Sequence, residues 1–395
     1  MPNIHILAED VRNKIAAGEV IERPASVVKE LVENAIDAGA DNIIVAIENG
    51  GKDLIRVIDN GYGMNADDAM LAFERHSTSK IKRVEDIIHI SSLGFRGEAL
   101  PSIASVSKLH LVTRTAEEEM ATIVEYANGK LINVTKTAAN TGTAVTVRGL
   151  FKDLPARRKF LKTAQVEARH ILKYIHYQAL VYPQISFRLV IEDKEKLNYI
   201  ACAERKQRIE EVFGGGFFED DIIPIEGKYS DYSISGYIFG LEDRSDKLID
   251  AQYTFINGRY IFDKTVRHSI KSAYEPFILK TRAWQKGTTP PYILFLEIPP
   301  EQIDVNVHPA KLEVRFRENN LVHSLVYETL SQALREYEER KFASARRKFQ
   351  GADQGEKATS LEREIFVKNI EMPRFSTYKK EFGELYQDDI FPSAQ

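Results

Sequence analysis

Glu30 and Asn34 stand at i and i+4, so a helix would carry both on one face. A carboxylate beside a carboxamide can do two jobs. The carboxylate can orient and deprotonate a water, and the amide oxygen can hold a hard cation such as magnesium. On spacing alone a solvated polar face outweighs that reading by roughly ten to one. Asp59-Asn60-Gly61-Tyr62-Gly63-Met64 follows a strand-like run. An aspartate at a strand end can accept from an exocyclic amine, and glycines two and four residues on allow close backbone approach to a flat ligand. An ordinary Asx turn is the competing explanation. Ser92 to Leu100 holds Gly94 and Gly97 ahead of a helix expected to begin near Gly97. Backbone N–H groups at such a start favour phosphate. The run is neither a P-loop nor a dinucleotide fingerprint, and reads as a glycine-hinged lid or a plain loop. Asn140-Thr141-Gly142-Thr143 enters a strand, and Asp304 to Lys311 places a lysine after a Pro-restrained turn. That lysine can reach a terminal phosphate as a point charge, although a lone lysine is usually solvated.

The elements that must hold these residues are legible around them. Pro24 and Ser26 start a helix that Gly39 stops. Within it Val28, Leu31, Val32, Ala35 and Ile36 share one face, and Glu30, Glu33, Asn34 and Asp37 share the other. Strands are expected at Ile43 to Ile47 and Leu54 to Ile58, joined by Asn49-Gly50-Gly51. Residues 60 to 101 read as loops with short helices. Further strands fall at Leu109 to Thr113, Ala121 to Tyr126, Lys130 to Thr135 and Thr143 to Val147. A helix at Glu167 to Leu180 and a strand at Ser186 to Ile191 close the unit. Beyond Gly214-Gly215-Gly216 come strands near Ser233 to Phe239, Tyr253 to Ile256, Tyr292 to Ile298 and Glu313 to Phe316. Helices fall near Lys264 to Leu279 and Leu321 to Glu339. These patterns divide the chain into 1–205, 206–340 and a linker or tail at 341–395.

Composition narrows the class. Of 395 residues 43% are hydrophobic and 28% charged, which excludes a disordered chain. No run approaches the about 18 uncharged apolar residues of a spanning helix, and the N-terminus is no secretory signal. The single cysteine, Cys202, points to a reducing cytoplasmic setting. The net charge of −4 leaves nucleic-acid contact to local groups: Arg157-Arg158-Lys159, Arg259, Lys264 and Arg267. In isolation these read equally well as a solvated surface.

Taken together and in this order, the motifs resemble the amino-terminal region of the MutL mismatch-repair family. That family shares an ATPase superfamily with type II gyrase, the ninety-kilodalton heat-shock chaperone and sensor histidine kinases. The resemblance runs from residue 1 to about 340. It includes Lys14 to Val20, Arg23 to Asn34, Asp59 to Gly63, Arg75 to Lys80, Gly94 to Leu100, Leu154 to Leu161 and Val305 to Lys311. The Gly-Phe-Arg-Gly-Glu-Ala-Leu and Asn-Val-His-Pro-Ala-Lys runs set MutL apart from its cousins.

The resemblance implies an α+β protein. A two-layer α/β sandwich with a mixed sheet would bind ATP, followed by a smaller α+β domain like those in gyrase and a small-subunit ribosomal protein. Glu30 matches the water-activating base, Asn34 the magnesium ligand and Asp59 the adenine reader, with Gly61 and Gly63 beside it. Thr78, Lys80, Gly94, Phe95, Arg96, Gly97, Glu98, Ala99 and Leu100 match the lid and phosphate-binding positions. Thr143 closes the adenine pocket, and Lys311 reaches the γ-phosphate. The implied activity is an ATP-dependent repair switch that uses ATP and magnesium and becomes a homodimer on ATP. It binds DNA without sequence preference, and works with the mismatch sensor MutS and a downstream nuclease or helicase. A DNA-binding scaffold with a vestigial nucleotide site is the alternative. The family's carboxyl-terminal dimerisation domain is not expected here. No Asp-Gln-His-Ala-type motif follows residue 340, so nicking by that route is not expected, and the chain reads as a fragment or a truncated frame.

Overall fold

A computed structural model describes residues 17–18, 20–75, 77–78, 97–214, 222–240, 251–281, 290–304 and 314–350. The described residues form two compact units, one up to Gly214 and one from Ile222.

Helix α1 (Pro24–Asp37) starts on a proline, whose fixed φ and missing N–H suit a first turn. It buries Val27, Val28, Leu31, Val32 and Ala35 and leaves Glu30, Asn34 and Asp37 half-buried along one edge. Gly39, at φ +70°, lets the chain reverse, and Ala40 N–H donates to Ala35 O at 3.1 Å. Strand β1 (Asn42–Glu48) turns through Asn49–Gly51 into β2 (Leu54–Asp59). Helices α2 (Ala66–Leu71) and α3 (Ala99–Ser105) precede the meander β3 (Lys108–Arg114), β4 (Ala121–Ala127), β5 (Lys130–Thr137) and β6 (Gly142–Arg148). Then come α4 (Pro155–Phe160), α5 (Ala164–Val181), β7 (Ser186–Ile191), β8 (Lys194–Tyr199) and α6 (Arg205–Phe213).

The eight strands lie in the order β5-β4-β3-β6-β2-β1-β7-β8, antiparallel except for β1 with β7. Val45, Val57, Leu111, Val145 and Leu189 share a core with Val28 and Leu31 of α1 and Ile171 and Ile175 of α5. This is the two-layer sandwich with a mixed sheet that the resemblance implied.

The second unit has a five-stranded sheet, β12-β11-β13-β10-β9, built from β9 (Ile222–Tyr229), β10 (Tyr232–Phe239), β11 (Gln252–Ile256), β12 (Arg259–Tyr260) and β13 (Tyr292–Glu297). Parallel β11 and β13 are joined through α7 (Lys264–Thr281). A small ladder, β14 (Ile303–Asp304) with β15 (Arg315–Phe316), precedes α8 (Asn319–Gln350). Val266, Ile270 and Phe277 of α7 and Leu325, Leu330 and Leu334 of α8 cover one sheet face, against Ile234 and Leu294. Tyr274 locks α7 to the sheet, its hydroxyl donating to Phe239 O at 2.6 Å and accepting from Phe239 N at 3.1 Å.

The structure departs from the expected elements in places. Helix α6 belongs to the first unit, past the expected boundary at 205, because Arg208 is fully buried there. Its Nη2 donates to Pro183 O, Ile185 O and Ile200 O at 2.9, 3.2 and 2.6 Å, and Glu211 pairs with its Nε at 3.1 Å. Strand β8 has only Leu197 and Tyr199 facing inward, so its charges mask the alternation. Strand β9 carries Pro224 inside, which an edge strand tolerates. Helix α8 runs beyond Glu339 to Gln350, and 351–395 lie outside the described residues.

Candidate active site

Asp59 sits at the last position of β2, opposite Thr143 of β6. Its Oδ1 accepts from Gly61 N at 2.9 Å and Thr143 N at 3.2 Å. Oδ2 has no hydrogen-bond partner among the described residues. Burial pushes this carboxyl above the usual carboxylate range, and the two backbone hydrogen bonds pull it partly back. A desolvated carboxylate with one oxygen anchored and one open is built to accept from a ligand N–H. Asn60 plays another part. Its Oδ1 accepts from the Asp41 and Asn42 amides, and its Nδ2 donates to Asp41, so its side chain is spent on holding β1 to β2.

The glycines here make room for the protein's own chain. A Cβ on Gly61 would meet Ala38 O at 2.7 Å, and one on Gly63, at φ +71°, would enter the Arg114 carbonyl. Tyr62 N donates to Ala38 O at 3.0 Å, tying the turn to the end of α1. Asn34 stands about one helical turn back from that end and Glu30 about two, on the same half-buried edge. Glu30 has no hydrogen bond or ion pair among the described residues. Tyr174 of α5 donates to the carbonyl of the preceding Lys29 at 3.3 Å. Its phenol is pushed well above the usual value by burial, with negative Glu33 and Glu30 adding to the rise.

Gly97, at φ +62°, packs where a Cβ would strike the Ser77 backbone, bringing the start of α3 beside Thr78. Helix α3 begins at Ala99, with Glu98 as the cap and Leu100 half-buried against the core. Lys80, Gly94, Phe95, Arg96 and Lys311 lie outside the described residues. One participant that the sequence reading did not single out is Thr113, buried at the end of β3. Its Oγ1 lies 2.9 Å from Thr143 Oγ1 and accepts from Met64 N at 2.9 Å. The signal was a threonine in register with Leu109 and Leu111, the other inward-facing residues of that strand.

The donor set suits a magnesium ion carried by a nucleotide. Such an ion keeps several waters and takes one or two protein oxygens, of which the Asn34 amide can offer one. No group of three His, Cys, Asp or Glu ligands occurs among the described residues, so there is no all-protein cage.

The basic run behaves differently. The Arg157 guanidinium lies over the Phe151 ring, 5.6 Å from its centroid, in the space where a Cβ on Gly18 would stand. Arg158 pairs with Asp53 at 2.9 Å, and Lys159 remains exposed. In the second unit Arg267 stacks over exposed Phe262 at 4.7 Å, Lys264 is exposed and Arg259 is half-buried.

Comparison with known proteins fits this geometry. The family model for the histidine kinase-, DNA gyrase B- and HSP90-like ATPase matches residues 21–146, and that for the DNA mismatch repair protein, C-terminal domain, matches residues 209–335. The chain is 31% identical to the Aquifex aeolicus MutL ATPase domain complexed with ADP, with a TM-score of 0.53. The match covers 94% of that structure and 71% of this chain. This chain belongs to the MutL family. A second solved structure, the N-terminal domain of a DNA repair protein, matches with 27% identity and a TM-score of 0.68, covering 99% of that structure and 84% of this chain. The DNA mismatch repair protein MutL of Solibacter usitatus is 42% identical over 364 residues, 85% of this chain. The chain spans about half the length of that curated relative, 54%. The first unit therefore carries the ATPase fold of MutL proteins. No described helix is long and apolar enough to cross a membrane.

Proposed function

We propose that this MutL-family chain is an ATP-operated switch of DNA mismatch repair. The observation that carries the reading is the Asp59 carboxylate, anchored by two backbone amides through Oδ1 and open at Oδ2. In this reading Oδ2 accepts from the adenine amine, with Thr143 beside it. Glu30, without a hydrogen bond or ion pair among the described residues, takes the proton of the water that attacks the γ-phosphorus, and the ADP–phosphate oxygen leaves. Asn34 holds the magnesium ion, which when bound neutralises phosphate charge. The phosphate-binding role falls to Thr78, Lys80, Gly94, Phe95, Arg96, Gly97 and the helix start from Glu98 to Leu100. Lys311 supplies positive charge at the γ-phosphate.

Hydrolysis is slow in such a device because occupancy carries the signal. ATP orders the lid and favours the homodimer, and hydrolysis resets both. The dimer binds DNA through backbone contacts from the basic groups Arg158, Lys159, Arg259, Lys264 and Arg267, with Arg157 the least available of the run because its guanidinium packs over Phe151 against Gly18. It passes the state of the mismatch sensor MutS to a downstream nuclease or helicase. Gel filtration with magnesium, with and without a non-hydrolysable ATP analogue, tests the core of this. An analogue-dependent shift to twice the mass is expected. A profile unchanged at saturating analogue leaves a DNA-binding scaffold as the better reading.

A further inference from the structure

Three strand ends frame Asp59, and they carry linked hydroxyls. Asp59 pairs with Thr143 across β2–β6, and Thr143 pairs with Thr113 across β3–β6, so the three side chains form one row on one sheet face. Thr113 is 1% exposed. Its hydroxyl has one proton and two lone pairs. The Met64 N–H occupies one lone pair, at 2.9 Å. The proton has two possible acceptors, Thr143 Oγ1 at 2.9 Å and Gly142 O at 3.2 Å.

The choice fixes what Thr143 presents. If Thr113 donates to Gly142 O, Thr143 must donate to Thr113 and offers only lone pairs. If Thr113 donates to Thr143, as the shorter distance favours, the Thr143 proton is free to turn outward. The row then displays an acceptor, Asp59 Oδ2, next to a donor, Thr143 O–H. Adenine has the matching edge, an amine donor at N6 and an acceptor at N1. Guanine has the reverse, a carbonyl at O6 and an N–H at N1. We propose that Thr113 is a specificity-determining positioning residue: by donating to Thr143 it directs the Thr143 proton toward the base, directly or through one water, and so favours adenine over guanine nucleotides. This rests on the nucleotide site proposed above.

The test is titration of the full chain, with magnesium, against non-hydrolysable ATP and GTP analogues. Parent, Thr113→Val, Thr113→Ser and Asp59→Asn are compared. Thr113→Val should weaken ATP-analogue binding about tenfold while the GTP analogue changes little, so that the preference narrows about tenfold. Thr113→Ser should restore it. Equal weakening for both analogues, which leaves the ratio unchanged, would reduce Thr113 to a packing residue and overturn the inference, as would no change in either. Asp59→Asn separates the two levels. If it leaves ATP-analogue affinity intact, the nucleotide site itself is misassigned. If it weakens binding while Thr113→Val leaves the ratio alone, only the role of Thr113 falls. Should Thr113→Val fail to fold, Thr113→Cys takes its place, with a thiol too weak a donor to orient Thr143 and the same narrowing expected.

Discussion

The turn Asp59-Asn60-Gly61-Tyr62-Gly63 and the run Arg157-Arg158-Lys159 look equally promising as strings of residue types, and the fold treats them in opposite ways. At the turn it uses some polar atoms and leaves others. Asn60 is engaged through both its oxygen and its nitrogen with Asp41 and Asn42, and Asp59 is held by one oxygen only. In the basic run it packs the Arg157 guanidinium between Phe151 and Gly18, with Nη1 buried and without a hydrogen-bond partner among the described residues, and sets Arg158 in a partly exposed pair with Asp53. Lys159 is left exposed to meet a partner. A polar motif is available for function to the extent that folding leaves its atoms unused.

Glu30 gives the largest expected effect on that contrast, since no hydrogen bond or ion pair among the described residues engages its carboxylate. Glu30→Ala should lower ATP turnover by about 10²–10⁴-fold, the contribution typical of a general base, with ATP affinity little changed. Steady-state hydrolysis alongside equilibrium binding measures both, and parent-like turnover would remove Glu30 from the chemistry. Asp59→Asn comes next. It keeps an oxygen for the Gly61 and Thr143 amides but can offer an N–H where the adenine amine needs an acceptor. Affinity should fall roughly ten- to a hundredfold, about 1–3 kcal/mol, with thermal stability retained. Stability should hold because burial disfavours the ionised carboxyl that the variant lacks.

The basic run offers the third test. Arg157→Ala should cost about 1–2 kcal/mol of stability, read as a lower unfolding midpoint, through loss of its packing on Phe151 and beneath Gly18. It should leave the salt dependence of DNA binding alone. Lys159→Glu should do the reverse, flattening the log–log salt slope by about 0.9 per lost phosphate contact at parent-like stability. A slope change in Arg157→Ala with an unaltered midpoint would dissolve the distinction.

What was legible in the sequence follows the same line. Helix α1 was readable because its apolar spacing and its Pro24 and Gly39 punctuation agree, and β1 with β2 and β4 with β5 because Asn-Gly turns join each pair. The i, i+4 placement of Glu30 and Asn34 needed only helix geometry. Thr113 was hidden because its partner Thr143 is distant in sequence and the contact exists only through strand register. The engagement of Arg157 depends on a glycine at position 18 and a ring at position 151, which spacing cannot bring together. Arg208 was unreadable for the same reason, since carbonyls from two separate segments, Pro183 with Ile185 and Ile200, converge on one guanidinium. The family resemblance supplied roles for residues, but the geometry shows which of their atoms remain open.

The smallest effect concerns a polar pair far from any of these motifs in sequence. His268 of α7 and His323 of α8 approach at 3.4 Å, Nδ1 to Nε2, with Tyr327 stacked on His323. Burial, and then the neighbouring His268, hold His323 below the ordinary histidine value. The unfolded chain therefore binds the proton more readily. The contribution of neutral His323 is complete above the unfolded value of about 6.5 and is lost as the pH falls through the lower folded value. The two rings engage each other, so by the contrast drawn above the pair should affect the fold alone. The unfolding midpoint of the parent should drop between about pH 7.5 and pH 5.5 by more than that of His323→Phe, which keeps the stack on Tyr327 without a titrating ring. ATP turnover at neutral pH should match the parent. Equal drops in the two proteins would show that other groups carry the acid sensitivity, and a turnover defect in His323→Phe would mean that this pair is engaged in more than holding α7 to α8.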